Sequence, residues 1–333
     1  MISEKKKSKA LIVSIVVASV ILVLVILALA VLGYVYFRLN SIKRIPTVQT
    51  SSVEENFERD SIGDNSVEVL KPEDVTWSRE ESRVDSDEWL LSNPNCINIL
   101  LIGIDGRGYS GRSDTMILCT YDREKKTATM TSFLRDLYVQ IPGYSDNRLN
   151  AAYAFGGIEL LDAAMETNFG IRVDGHVMVD FDTFPQVIDA LGGVDITLTQ
   201  AESDYLSLSG AGEYHMDGEL AMLYARIRYI DSDFGRTNRQ RTLLNSLFER
   251  FKKLSWGEIA SAANQVLDLV YTDMDAGTIL SYGSEVMGLQ EIRQMHVPED
   301  GEYNDAYINE MMVLVPDLEQ IHDRLGRELF GRE

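Results

Sequence analysis

The sequence predicts an α/β domain built on a mixed central β-sheet with helices on both faces, preceded by one transmembrane helix. Three observations carry this. An uncharged run fills residues 10–37, continuous apolar stretches such as INILLIGID (97–105) read as strands buried on both faces, and helical periods alternate with them down the chain.

The N-terminal run comes first. Lys5, Lys6, Lys7 and Lys9 precede Ala10–Phe37, which is interrupted only by Ser14, Ser19, Gly33 and two tyrosines. Its 28 residues would make a helix of ~42 Å, beyond the ~30 Å hydrocarbon core. That length exceeds the apolar part of a signal peptide, and no small-residue cleavage site follows. The lysines place residues 1–9 in the cytoplasm, and Tyr34, Tyr36 and Phe37 form an interfacial belt. The expectation is a single-pass type II protein of the cell membrane, with everything after residue 37 outside. Residues 1–38 carry a net charge of +4 within a chain of −21, which leaves −25 for the rest. An exterior so acidic argues against a nucleic-acid partner.

Residues 38–95 read as an acidic extracellular stalk. Pro46–Asn95 holds thirteen acidic and four basic side chains with little periodicity, too few apolar groups to offset the entropy of ordering. Short helices near 72–77 or 86–91 would dock it through Trp77 and Trp89.

The globular domain is expected over 96–333. After INILLIGID comes the loop GRGYSGRSD, then TMILCTYD (115–122) and TATMTSF (127–133) as strands. Asp105 and Asp114 stand at the two ends of the glycine-rich loop, a pair of carboxylates suited to a hard cation such as Mg²⁺ or Mn²⁺. The alternative is that both cap turns. Arg107 and Arg112 in the same loop favour a combined metal and phosphate site. Arg135 emerges where the third strand stops, at the edge where open α/β sheets bind ligands; a local pair with Asp136 is the competing reading. Further on, 157–168 is helical, 176–181 a strand, 183–193 a helix stopped by glycine, 194–199 a strand, and 217–229 a helix capped by Asp217. The remaining elements are helices over 256–273, 276–289 and 316–330, and strands at 291–297 and 309–315. Cys96 and Cys119 make neither a disulfide framework nor a zinc cluster, and the four histidines lack ligand spacing.

The densest chemistry lies at RIRYIDSDFGRTNRQR (226–241), where Arg226, Arg228, Arg236, Arg239 and Arg241 occur without lysine. Guanidiniums favour forked contacts to phosphate. Thr237 and Gln240 resemble a capping box opening an amphipathic helix with Leu243, Leu244 and Leu247 on its apolar stripe. Arg236 would then lie at a helix N-terminus, an anion site.

LLIGID with RSDTMIL, SFLRDLYV, RLNAAYAFGG, and YARIRY followed by DFGRTNRQR together resemble the LytR–CpsA–Psr family of membrane-anchored cell-wall enzymes. The likeness spans about residues 97–254, and 255–333 match loosely. One departure is Leu134, where members often carry proline. The resemblance implies a phosphotransferase moving a teichoic-acid-like or capsular glycopolymer from a polyprenyl diphosphate carrier to a peptidoglycan hydroxyl in a Gram-positive bacterium. It implies metal ligation by Asp105 and Asp114, and diphosphate binding by Arg135, Arg226, Arg228, Arg236 and Gln240. To these the residue reading adds Arg107 and Arg239 as phosphate ligands, Arg135 and Arg236 as stabilisers of leaving-group charge, and Asp136 or Asp233 as the proton acceptor. A non-catalytic polyprenyl-phosphate-binding module and a regulator of wall metabolism are the alternatives.

Overall fold

In the computed structural model the central sheet runs Lys43–Arg44 (β1), Tyr271–Thr272 (β11), Gly175–Asp180 (β8), Cys96–Ile104 (β3), Ser113–Asp122 (β4), Thr127–Phe133 (β5) and Glu291–Val297 (β12), with Tyr138–Val139 (β6) and Asn147–Arg148 (β7) paired separately. The structure describes residues 35–45, 68–77, 89–104, 111–180, 182–227, 253–286 and 288–332, with Gly33, Ile230, Arg239 and parts of 242–250. The run expected to cross the membrane lies outside these apart from Gly33 and residues 35–37, and no described helix is long and apolar enough to cross a membrane.

The middle of the sheet follows from the apolar runs. β3 (Cys96–Ile104), β4 (Ser113–Asp122) and β5 (Thr127–Phe133) form an antiparallel meander. β8 (Gly175–Asp180) lies parallel to β3, and β12 (Glu291–Val297) parallel to β5, so the sheet is mixed as expected. At the far edge β11 (Tyr271–Thr272) joins β8, and β1 (Lys43–Arg44) pairs with β11. Strand alternation sends Leu100, Ile102, Ile104, Met116, Leu118 and Met178 to one face, all at most 1% exposed. Helix α1 (Leu149–Phe169) and the C-terminal helix α7 (Leu318–Phe330) bury that face. Across the other face, Ile97, Tyr121 and Ala128 pack with Tyr282 from α6 (Ala276–Val286).

A second, smaller core stands apart from this sheet. The hairpin β9 (Val194–Leu198) and β10 (Gly212–Met216) packs with α2 (Phe184–Ala190) and α4 (Gly218–Ala225). The short helix α3 (Gln200–Tyr205) links the two strands, opened by a Thr199–Glu202 capping box. Leu243 and Leu247 of the expected amphipathic stripe are buried here.

Several expectations need correction. The 256–273 helix ends at Val266 as α5 (Trp256–Val266), because Tyr271 and Thr272 are drawn into the sheet edge. The helix read from 157 starts at Leu149 and is broken at Gly156–Gly157, where Gly157 takes φ +68°. Its end at Gly170 (φ +68°) needs glycine twice over, for the left-handed cap and because the Trp89 carbonyl fills the space of a Cβ.

The stalk is not a spacer throughout. β2 (Glu68–Leu70) pairs with β13 (Tyr303–Ile308), which also pairs with β14 (Met311–Pro316) in a three-stranded sheet. Trp77 stacks on Tyr138 at 6.1 Å, and fully buried Trp89 stacks on His322 at 4.1 Å. Both tryptophans therefore anchor the segment, as expected; a short 3-10 helix (Pro72–Asp74) precedes Trp77, and Trp89 lies in a turn. Cys96 and Cys119 are unpaired, and burial pushes both thiols up to about 11.

Candidate active site at the sheet edge

The end of β3 and the start of β4 do not match residue for residue. Gly103 lies opposite Thr115 and Ile104 opposite Ser113, so Asp114 is the extra residue of a β-bulge. Bulges re-aim side chains beside functional sites. On the neighbouring strand, Arg135 follows the end of β5. Its Nη1 donates to Asp114 Oδ1 at 2.8 Å, and its Nε donates to Asp136 Oδ2 at 3.3 Å. Asp136 Oδ1 in turn forms an ion pair with Arg148 Nε at 3.3 Å. The result is a row of alternating charges, Asp114–Arg135–Asp136–Arg148, whose side chains are only 8–15% exposed.

The backbone under this row is pinned. Leu134 N–H donates to the Val297 carbonyl, Asn150 N–H to the Arg135 carbonyl, and Leu314 N–H to the Asp136 carbonyl. Arg148 also donates to the Met312 carbonyl from Nε (3.1 Å) and Nη2 (2.6 Å). Charges held this way are oriented before any ligand arrives.

Arg135 thus pairs with Asp136, as its local-pair reading held, and reaches Asp114 as well. Both oxygens of Asp136 face guanidiniums, so this carboxylate holds Arg135 and Arg148 in place. Sequence reading assigned no role to Arg148; its only signal was its place at the head of RLNAAYAFGG.

The arginine cluster divides. Arg226 is exposed at the C-cap of α4, with its N–H on the Met222 and Leu223 carbonyls. Arg239 is 2% exposed; its Nη2 donates to the Ile227 carbonyl at 3.0 Å, and its Nη1 lies 3.6 Å from Glu202 Oε1. Expected to bind phosphate, Arg239 has its guanidinium in the interior, against the Ile227 carbonyl and Glu202. Asp105, Arg107, Arg228, Asp233, Arg236 and Gln240 lie outside the described residues.

Of the expected metal ligands only Asp114 is described, and its carboxylate offers the oxygen donors that a hard divalent cation takes. Among the described residues no cluster of three metal-ligating side chains occurs.

Another cluster underpins the far edge. His176, 3% exposed, donates from Nδ1 toward Asp273 (2.8 Å) and from Nε2 toward Asp162 (2.9 Å). Burial alone would push this imidazole down, but the two carboxylates hold it up at about 9. Sequence could not reveal the cluster, because Asp273 is 97 residues away.

The LytR_cpsA_psr family model matches residues 56–326. The chain is 34% identical over 224 residues to TagU of Enterococcus faecalis, a polyisoprenyl-teichoic acid–peptidoglycan teichoic acid transferase, covering 62% of this chain and 72% of that protein. It is 30% identical to TagT of Bacillus subtilis, a transferase of the same description, covering 66% and 74%. It is also 32% identical to the regulatory protein MsrR of Staphylococcus aureus (strain COL), covering 66% and 69%. Among solved structures, TagT bound to LIIa-WTA superposes with a TM-score of 0.61 at 26% identity, over 71% of this chain and 90% of that one. B. subtilis TagV superposes with a TM-score of 0.59 at 30% identity, over 73% and 100%. With the sheet-edge charges on SFLRD and RLNAAYAFGG, and a match over most of its length, the chain belongs to the LytR–CpsA–Psr family.

Proposed function

We propose that this protein transfers a glycopolymer from a polyprenyl diphosphate carrier to a hydroxyl of peptidoglycan. The observation that carries the proposal is the Asp114–Arg135–Asp136–Arg148 row, buried and pinned at the sheet edge, in a family whose similar members include teichoic acid transferases.

The acceptor hydroxyl attacks the phosphorus nearer the glycan. One P–O bond forms to the acceptor, and the bridging P–O bond breaks to release polyprenyl monophosphate. Negative charge grows on the equatorial and departing oxygens, where fixed guanidiniums act with little reorganisation. Arg135 is the guanidinium best placed for this. Arg226, Arg228, Arg236 and Gln240 supply the remaining diphosphate contacts in this reading, with Arg107 reaching in from the glycine-rich loop. With Asp136 engaged by two arginines, Asp233 is left to take the acceptor proton.

Asp105 and Asp114 would hold Mg²⁺ or Mn²⁺. The ion would neutralise phosphate charge and orient the diphosphate. The lipid tail needs apolar cover, and the sheet face opposite α1 offers it. Ile99, Leu101, Cys119, Val177 and Val179 are half-buried there, while their neighbours on the other face are sealed. Residues 10–37 would anchor the protein in the cell membrane of a Gram-positive organism, with the domain outside.

The test uses the full chain, a short polyprenyl-diphosphate glycan and peptidoglycan. Transfer should depend on Mg²⁺ and drop at least ~100-fold in Asp114→Ala, with thermal stability kept. Wild-type protein that binds the lipid without turnover, Mg²⁺ present, would instead make it a binding module.

A further inference from the structure

The apolar run over residues 10–37 is longer than it needs to be. About 20 helical residues cross a hydrocarbon core, and the run holds 28. The surplus has a visible use. The chain is helical over 35–40, and Leu39 and Ile42 are 7% and 5% exposed in a cluster with Ala276. Val35, Leu267, Val270 and Ile279 pack around them. A short turn follows, in which Ser41 N–H donates to the Arg38 carbonyl at 3.1 Å and Ile42 N–H to that of Leu39 at 3.4 Å.

The next two residues are already sheet. Lys43 lies opposite Tyr271 and Arg44 opposite Thr272. Three cations then fasten the join. Arg38 forks onto Asp268 at 3.4 and 3.2 Å, the Lys43 ammonium sits 5.1 Å above the Tyr271 ring, and Arg44 donates to the Asp273 and Met274 carbonyls. Each exposed ion pair is weak alone, worth under about 1 kcal/mol. Combined with a buried apolar cluster and a strand ladder, they leave no free hinge between the end of the run and the sheet.

We propose that residues 35–45 form a rigid strut that seats the β1–β11 edge of the sheet, with α6, against the outer surface of the lipid bilayer. This rests on the reading of residues 10–37 as a membrane anchor. β1 is already in the sheet before the acidic segment 46–67 begins, so that segment does not stand between the strut and the domain. Apolar groups that water alone would disfavour lie where the strut meets the domain. Tyr36 is 54% and Phe37 69% exposed, and Leu280 of α6, next to Ile279 in the cluster, is 42% exposed. Aromatic and aliphatic side chains are favoured at headgroup depth. A domain seated there meets the diphosphate of a membrane-borne carrier without extracting it far from the bilayer.

Full-length protein in proteoliposomes tests this. The double variant Lys43→Cys/Tyr271→Cys should cross-link in most molecules under mild oxidation, while Lys43→Cys/Leu223→Cys should not. In lipids brominated near the headgroup, Leu280→Trp should lose most of its added emission, and Tyr205→Trp, on α3, should keep its own. Unquenched Leu280→Trp emission in protein that floats with the vesicles would overturn the proposal, even should the cysteine pair at 43 and 271 fail to fold. Protein that does not float with the vesicles would sink the anchor reading beneath it and leave the transfer chemistry untouched.

Discussion

The two halves of the candidate site are held by different means. Asp114, Arg135, Asp136 and Arg148 stand on the central sheet, over a core in which the inward residues of β3 and β4 are nearly inaccessible. Arg226 belongs to the second core, where a two-stranded hairpin, α2 and α4 bury a smaller set of residues. In the sheet half, charges neutralise one another directly. In the other half a buried arginine, Arg239, braces the backbone so that its exposed neighbour is presented. Local stability varies across folds, and smaller cores open first. The sheet half therefore holds its charges against one another, while the second core presents an exposed arginine from beside a buried one.

The largest expected effect breaks the sheet half. Arg135→Ala should lower kcat for glycan transfer by roughly 10²–10³-fold, while carrier binding weakens less. Steady-state kinetics with parallel lipid-binding measurements check the split. Equal losses in both would make Arg135 a docking residue.

Next comes Arg148→Met. It removes the guanidinium beside Asp136 and uncovers the Met312 carbonyl, at a cost of about 2–4 kcal/mol. Calorimetry should show Tm falling by roughly 5–10 °C, with activity falling too as Asp136 shifts. Unaltered Tm would mean that the row is solvated and not a structural brace.

Arg239→Met sharpens the contrast from the other side. It removes the cation beside Glu202, which is 8% exposed and keeps only its Thr199 capping bonds, and should cost about 1–3 kcal/mol. Hydrogen exchange should quicken over 194–227 and stay unchanged in β3–β5. A raised Kd for the carrier without faster exchange would return Arg239 to the phosphate set.

The smallest effect is a pH dependence confined to the sheet half. His176 is held at about 9, above its unfolded value near 6.5. Its contribution is complete below that unfolded value and disappears as pH rises through about 9. With the partner carboxylates about a third exposed, screening limits it to on the order of 1–2 kcal/mol. His176→Gln should melt a few degrees below wild type at pH 6 and equal it by pH 10. A gap independent of pH would show that His176 is held as a neutral ring.

Much of the scaffold was legible because it is written locally. Strands 97–105, 115–122, 127–133 and 291–297 were readable from continuous or alternating apolar residues, and Asp217 caps its helix as expected, accepting from Leu220 N–H at 2.9 Å. What failed was pairing-dependent. Tyr271–Thr272 looks helical in sequence but becomes strand because β8 offers an open edge. β2 sits in an acidic stretch that composition marks as unstructured, and only its partner β13 gives it a ladder. Arg239 and Arg226 share one cluster and one residue type, yet one is interior and the other exposed.

By itself, the sequence determined that apolar strands would form a layered α/β domain, that an uncharged run of membrane-spanning length precedes it, and which motifs carry arginines and aspartates to strand ends. Those features depend on side-chain period and composition, which act over a few residues. The tertiary structure alone decided that Arg148 and Asp136 brace Arg135, that Arg239 points inward, that His176 sits between carboxylates from distant segments, and that Lys43 enters the sheet. Each is a contact between chain segments far apart in sequence, and its free energy exists only once the sheet has brought them together.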